Sequence, residues 1–172
     1  FNTWNSFNQG TSYPPVYMWK DKQTFTVCRY TVPFVILGSK SFIVSSYFTA
    51  IFSYLGTWKL FKLFNLLYKG YSKQFAYIIL FMPSLLFWGS GIMKDSYVIG
   101  ATCWISYNFY KIFISREKVF INLILFVINA YIIISVKSYV IISLIPGMLL
   151  WLNSSYLSLI KNSIIRILVL PI

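Results

Sequence analysis

Long apolar segments recur along this chain, and they constrain its fold more than any other feature. Each segment is close to the ~20 residues that an α-helix needs to cross the hydrocarbon core of a bilayer. Because lipid offers no hydrogen-bond partners, such a segment must satisfy its own backbone, which a helix does and an open strand does not. We count five of these segments, at residues 41–58, 75–92, 97–113, 119–136 and 139–160.

The segments predict an all-α protein, a polytopic transmembrane helix bundle of about five spans over residues 41–172, preceded by an external interfacial segment over residues 1–40. The composition agrees, because 58% of the residues are hydrophobic and only 10% are charged, outside the usual globular balance. Residues 119–136 are rich in β-branched side chains, which favour strands. Because a usual strand has only ~5 to 6 residues, we predict a helix for this longer segment too. The closing stretch IIRILVLPI reads as the start of a further span, so we expect a fragment of a longer protein.

The basic residues fall in alternate connections between the apolar segments. Short cytoplasmic loops of membrane proteins carry the excess of Lys and Arg. The connections after the first, third and fifth segments are therefore predicted to be cytoplasmic, and the others external. This pattern predicts a multi-pass protein of the bacterial inner membrane, with residues 1–40 on the periplasmic side. The residues that carry it are Lys59, Lys62, Lys69, Lys73, Lys111, Arg116, Lys118, Lys161 and Arg166.

The inventory of reactive side chains excludes several classes of chemistry. The formal net charge of +12 would suggest nucleic acid in a soluble protein, but these charges lie in short turns, where topology and anionic lipid account for them. We therefore predict a lipid bilayer and no nucleic acid as partner. The absence of histidine excludes His-based triads, imidazole zinc sites and His-held haem. With only Asp21, Asp95 and Glu117 as carboxylates, and no glycine-rich phosphate loop, we predict neither a metal nor a cofactor.

Opposite charges stand side by side in GIMKDSY, between the second and third segments. Asp95 immediately precedes an apolar run, which predicts that it caps the amino-terminal N–H groups of the third helix. Lys94 would then complement the carboxy-terminal dipole of the second helix. The alternative is a binding or catalytic site, because Lys94, Lys137 and Arg29 share the predicted external face with Asp95 and would suit an anionic substrate.

Polar residues and prolines interrupt the apolar segments at a few positions. Asn108, Asn122 and Asn129 are costly in hydrocarbon, and such residues most often hydrogen-bond to a neighbouring helix. We predict that role for all three. Pro83 and Pro146 each remove a backbone hydrogen bond, so we expect both to kink their helices.

The run PSLLFWGSGIMKDSYVIGA, with VKSYVIISLIPGMLLW downstream, resembles multispanning proteins of Bacteroidetes-type bacteria that are grouped with polysaccharide polymerases and GT-C-like glycosyltransferases using lipid-linked sugars. The resemblance covers roughly residues 29–152. It implies a cavity that faces away from the cytoplasm and an acidic catalytic residue in an early external loop. Asp95 and Asp21 are the candidate acids, although neither stands in a motif that matches the family's acid.

The resemblance implies that Arg29, Lys94 and Lys137 bind the phosphate or pyrophosphate of a lipid-linked sugar while a carboxylate deprotonates the acceptor hydroxyl. Trp88 would stack on a sugar ring, or else anchor the second helix at the interface. The alternative function is a noncatalytic subunit that packs against other membrane subunits. A transporter is less well supported, because ion pathways normally contain acids within the membrane, and Asp95 stands at the end of a segment.

Overall fold

The computed structural model describes residues 22–157, and this part of the chain is helical without any strand. The predicted all-α class is therefore confirmed for the described residues. Asp21 and the predicted start of a sixth span lie outside them. The helices are α1 (Lys22–Leu37), α2 (Phe42–Leu67), α3 (Ser72–Phe75), α4 (Pro83–Gly89), α5 (Lys94–Phe113) and α6 (Val119–Leu157), with a π-helical turn at Ala76–Leu80.

A sharp turn joins α1 to α2, and the two helices meet at a bend of 115°. Ser39 and Lys40 adopt left-handed backbone conformations, with φ of 51° and 63°, which reverse the chain within a few residues. α1 packs against α2, α5 and α6. The predicted interfacial segment thus contains a helix that lies on the bundle, and its position relative to a membrane surface stays a prediction.

α2 and α5 pack side by side through small residues. Their backbones approach most closely at Gly56 and Gly100, where a Cβ atom built on Gly56 would lie 2.4 Å from the Gly100 carbonyl oxygen. Small residues at a helix crossing let two backbones approach, as is typical of helix pairs in membranes. The other small residues that α2 buries are Ser45, Thr49, Ser53 and Thr57.

Two contacts along this pair define its direction. The Phe52 ring centroid lies 5.8 Å from that of Tyr97, near the start of α5. Further along both helices, the Lys59 Nζ lies 4.8 Å from the centroid of the Trp104 ring. Both chains therefore advance together, and α2 and α5 are parallel.

The predicted second span is a broken helix. Pro83 is the first residue of α4, and Met82 before it is extended, with φ of −64° and ψ of 118°. Proline suits this position because a first helical residue needs no N–H partner. The predicted kink at Pro83 is thus confirmed as a break, and the prediction of one continuous helix over residues 75–92 is wrong.

The broken segment runs back along α2. The Phe75 ring at its start lies 5.3 Å from the ring of Phe64, near the end of α2. Gly89 at its other end faces Ser53, because a Cβ atom built there would lie 2.7 Å from the Ser53 hydroxyl oxygen. Residues 72–89 and α2 are therefore antiparallel.

α6 consists of two helical halves that meet at Lys137, whose backbone is non-helical, with φ of −146° and ψ of 81°. The first half starts shortly after α5 ends, and by Val136 it packs against Val98 near the start of α5. The second half leads back, so that the Trp151 ring lies 6.0 Å from that of Phe109. Both halves therefore lie along α5, and they run in opposite directions.

Within the described range, one helical stretch is by itself long and apolar enough to cross a membrane, the Val119–Asn153 part of α6, which includes the reversal at Lys137. The bent pair of α1 and α2 passes the same criterion when the two helices are taken together. α2 alternates apolar residues with Ser, Thr and Tyr, and residues 72–89 are broken, which lowers the apolar length of each. The predicted five-span bundle is therefore not confirmed by length and apolarity.

Two of the three asparagines predicted to join helices bond to nearby carbonyl groups of the chain instead. The side-chain amides of Asn122 and Asn129 donate to the carbonyl oxygens of Glu117 and Leu125, each at 2.8 Å, so the prediction of bonds to another helix is wrong for these donors. Asn108 is fully buried, and its side chain has no hydrogen-bond partner among residues 22–157. α6 continues through Pro146, and its non-helical residue is Lys137 instead.

Candidate functional site

Asp95 and Lys137 form an ion pair across 42 positions of the chain, with the Lys137 Nζ donating to the Asp95 Oδ1. α5 supplies Asp95 from its first turn, and the reversal between the halves of α6 supplies Lys137. The Lys137 side chain is 22% exposed and that of Asp95 37% exposed, so both charges are partly shielded from solvent. Such a pair is stronger than a fully exposed one, because water screens it less.

The predicted capping role of Asp95 is wrong. Met93 is the N-cap residue of α5, and α5 begins at Lys94, which places Asp95 one residue inside the helix. Its negative charge in the first turn still complements the helix dipole. The side chain itself is directed to Lys137 rather than to the backbone N–H groups of its own helix.

Hydroxyl groups from three helices connect α1 to the helices that carry the pair. The Tyr30 hydroxyl lies 2.9 Å from the Ser135 Oγ, and the Tyr97 hydroxyl lies 2.9 Å from the Thr31 Oγ1. Thr31 donates its own proton to the Val27 carbonyl oxygen, so Tyr97 is the donor in the second bond. α1 is therefore held by polar bonds to both α5 and α6.

Ser96 orders the turn that leads into α5. Its fully buried hydroxyl oxygen lies 2.8 Å from the Trp88 carbonyl oxygen and 2.6 Å from that of Gly91. The single hydroxyl proton is therefore shared between two carbonyl groups of the preceding turn. This contact fixes the end of α4 against the start of α5, next to Asp95.

The predicted site residues lie as follows in the described chain. Lys94 is the half-buried first residue of α5, so Lys94, Asp95 and Lys137 lie at one end of the bundle. Arg29 is exposed on α1, next to Tyr30. The Trp88 side chain is exposed on α4, in edge contact with the Phe87 ring at 5.3 Å. Asp21 lies outside the described residues, and its predicted role stays untested.

Sequence reasoning missed the pairing of Asp95 with Lys137 and the bonds of Ser96 and Tyr97. One signal was available, because the predicted topology places Asp95 and Lys137 in two external connections and therefore on one face. Nothing in the local pattern indicates that the two connections meet. Tyr97 and Ser96 follow Asp95 directly, and they read as ordinary residues at the start of a helix.

A groove of about 150 Å³ lies between α2 and the broken segment, and neither Asp95 nor Lys137 lines it. Its lining is mainly apolar, with hydroxyl groups from Ser53, Tyr54, Thr57 and Ser90. Among residues 22–157, no group of three His, Cys, Asp or Glu side chains is placed to hold a metal ion. The chemistry available at the site is thus that of one carboxylate and neighbouring ammonium groups.

A second ion pair closes the opposite end of α5. The Lys111 Nζ donates to the Glu117 Oε2 at 2.7 Å, and the Ser115 hydroxyl donates to the Glu117 Oε1 at 2.9 Å. Glu117 is exposed in the loop before α6. The hydrogen bond from Lys111, followed by that from Ser115, lowers the pKa of the Glu117 carboxyl below its ordinary value.

We expect Lys111→Met to raise the pKa of Glu117 toward the ordinary value of a glutamate, and Ser115→Ala to raise it by less. Carbon-detected NMR titration of the labelled carboxyl group measures both changes. Because the pKa is lower in the folded chain, the pair stabilises the fold above the pKa of the unfolded chain, and this contribution is lost as the pH falls through the folded pKa. An unchanged pKa in Lys111→Met would show that the contact does not persist in solution.

Comparisons with known proteins supply no relative for this arrangement. No protein-family model, no curated protein and no solved structure matches the chain. A functional proposal therefore depends on the residues themselves and on the geometry described above.

Proposed function

We propose that the chain crosses the bacterial inner membrane five times and that the end of the bundle carrying Asp95 and Lys137 acts in glycan assembly at the periplasmic face. The proposed spans are α2, residues 72–89, α5 and the two halves of α6. The proposed reaction is glycosyl transfer or polymerisation from a lipid-linked sugar donor.

The directions of the helices support five crossings. α2, α5 and the second half of α6 run one way, whereas residues 72–89 and the first half of α6 run the other way. Successive segments thus alternate in direction, as successive spans do. The outward surface is also apolar, since the side chains of Ile36, Phe42 and Phe120 are 72%, 74% and 75% exposed. Large apolar surface of this kind fits lipid or a partner subunit.

The charges support the orientation of the bundle. Lys111 and Glu117 lie at the end of α5 that carries most of the basic loops, and Asp95 and Lys137 lie at the other end. By the excess of Lys and Arg in cytoplasmic loops, the Asp95 end faces the periplasm.

The contact between Asp95 and Lys137 is the observation that carries the chemical proposal. The Asp95 carboxylate can accept a proton, while the ammonium groups of Lys94 and Lys137 can bind phosphate. In the proposed step, the acceptor hydroxyl oxygen bonds to the anomeric carbon and its proton passes to Asp95. The bond from that carbon to the phosphate oxygen breaks, and Lys94 and Lys137 stabilise the negative charge that the leaving phosphate gains.

Two further predicted residues have secondary roles in this proposal. Arg29, on the helix bonded to α5 and α6, would bind a second phosphate oxygen with its planar guanidinium group. Trp88 would offer its exposed ring to a sugar face. Asp21 remains the alternative acid.

The test measures glycan chain length and yield in cells that carry the double variant Lys94→Ala/Lys137→Ala of the full protein. The control is Lys111→Ala, which removes an ion-paired lysine at the opposite end of the bundle. The proposal expects glycan chain length and yield to collapse in the double variant and to persist in Lys111→Ala. Equal amounts of protein in the membrane fraction control for folding. Normal glycan in the double variant at normal protein level would refute the catalytic proposal.

A noncatalytic subunit is the second candidate function, and one observation favours it. The ion pair of Asp95 and Lys137 joins α5 to α6, which is a structural role, and the exposed apolar surface offers area for partner helices. This function expects copurification with a larger membrane complex at fixed stoichiometry. It also expects glycan assembly to be lost on deletion of the gene but retained in Lys94→Ala/Lys137→Ala.

A further inference from the structure

Two lysines in the C-terminal half of α2 lie against aromatic rings. The Lys59 Nζ lies 4.8 Å from the centroid of the Trp104 ring and 4.9 Å from that of Tyr107, both on α5. The Lys62 Nζ lies 5.9 Å from the Trp58 ring on its own helix. Each ammonium group is therefore held at an aromatic surface, which attracts a cation through the negative face of the ring.

The two ammonium groups have no carboxylate to balance them within the described range. The carboxylates of that range are Asp95 and Glu117, and these pair with Lys137 and Lys111. Lys59 and Lys62 are three residues apart on one helix, so they share a face and repel each other. An anion between or above them would remove this repulsion.

We propose that Lys59 and Lys62 bind the phosphate of an anionic phospholipid headgroup at the cytoplasmic surface of the membrane. The charge is complementary, and the rings of Trp58, Trp104 and Tyr107 supply an amphipathic surface beside both ammonium groups. The apolar stems of both lysines can lie along the helices while the ammonium groups reach the phosphate. This inference goes beyond the proposed glycan chemistry and rests on the proposed topology, in which the carboxy-terminal end of α2 faces the cytoplasm.

The experiment compares lipid retention by the full chain in detergent, measured by native mass spectrometry with phosphatidylglycerol and with phosphatidylcholine. The variant is Lys59→Gln/Lys62→Gln. Its matched control is Lys69→Gln/Lys73→Gln, which removes the same charge from the turn after α2 and from α3. We expect the first variant to weaken phosphatidylglycerol binding about 30-fold, because each lysine near the surface contributes about 1 kcal/mol to binding an anionic lipid and the variant removes two. The control should weaken it less than about threefold at physiological salt, where exposed charges are screened within ~8 Å.

Three results would overturn the proposal. Equal weakening by the two variants would mean that net charge acts without a site. Phosphatidylcholine bound as tightly as phosphatidylglycerol would remove the role of negative charge. Displacement of the lipid by an equal concentration of inorganic phosphate would make the site one for free phosphate. None of these results depends on glycan assembly, so failure here is distinguishable from failure of the proposed function.

Discussion

Gly56→Ala is expected to lower the free energy of unfolding by about 3 kcal/mol, the upper part of the range for overpacking a tight contact. The added Cβ atom would lie 2.4 Å from the carbonyl oxygen, 2.7 Å from the Cα atom and 2.9 Å from the carbonyl carbon of Gly100. All three neighbours are backbone atoms, so no side-chain rotation relieves the clash. α2 and α5 must separate, and the packing on both sides of the crossing is lost with them.

Gly100→Ala is expected to cost less than Gly56→Ala. A Cβ atom at position 100 would lie 2.9 Å from the Phe52 Cε1, the far end of a side chain, although the Ser53 Cα lies at 3.1 Å. The Phe52 ring can move by a few tenths of an ångström, whereas a helix backbone cannot do so alone. A larger loss of unfolding free energy in Gly56→Ala than in Gly100→Ala thus indicates a backbone clash, because the helix propensity of alanine relative to glycine is the same at both positions.

Gly147→Ala is the matched control, because a Cβ atom there would meet nothing within 4 Å. Alanine favours a helix over glycine by up to ~1 kcal/mol, so this variant should be neutral or slightly more stable. Reversible unfolding in mixed detergent micelles measures all three variants. Equal stability of Gly56→Ala and Gly147→Ala would contradict the close crossing of α2 and α5.

Asp95 and Lys137 are expected to show a coupling free energy of about 1 to 2 kcal/mol in a double-mutant cycle of Asp95→Asn, Lys137→Met and the double variant. Each single variant leaves one partly shielded charge without its partner, whereas the double variant removes both charges. The single variants should therefore lose more stability together than the double variant loses.

The pair of Lys111 and Glu117 is the matched control for this cycle, since it joins the same kinds of groups at the other end of α5. Its Glu117 side chain is 65% exposed, compared with 37% for Asp95, so solvent screens it more and its coupling should be smaller. The same unfolding measurement serves both cycles. A coupling at Asp95 and Lys137 no larger than that of the control would mean that the contact does not hold the reversal of α6 against α5.

Predictions from local composition succeed here where one dominant physical constraint acts. Long apolar runs favour helices at almost any packing, and the described chain is helical accordingly. Pro83 removes a backbone donor, and the chain breaks there as expected. The predicted capping role of Asp95 is wrong for two reasons. The local sequence does not fix the first residue of α5 to within a residue or two, and the Asp95 carboxylate pairs with Lys137, a charged partner distant in sequence.

The sequence by itself determined the helical class, the recurrence of apolar segments and the distribution of charge between connections, because each depends on residues that are neighbours along the chain. Only the tertiary structure decided that Lys137 meets Asp95, that α2 crosses α5 at Gly56 and Gly100, and that Lys59 lies over the rings of Trp104 and Tyr107. Each of these contacts depends on how one helix is rotated and shifted against another. That choice is made by the summed packing of whole helix faces, and no local spacing of residues encodes it.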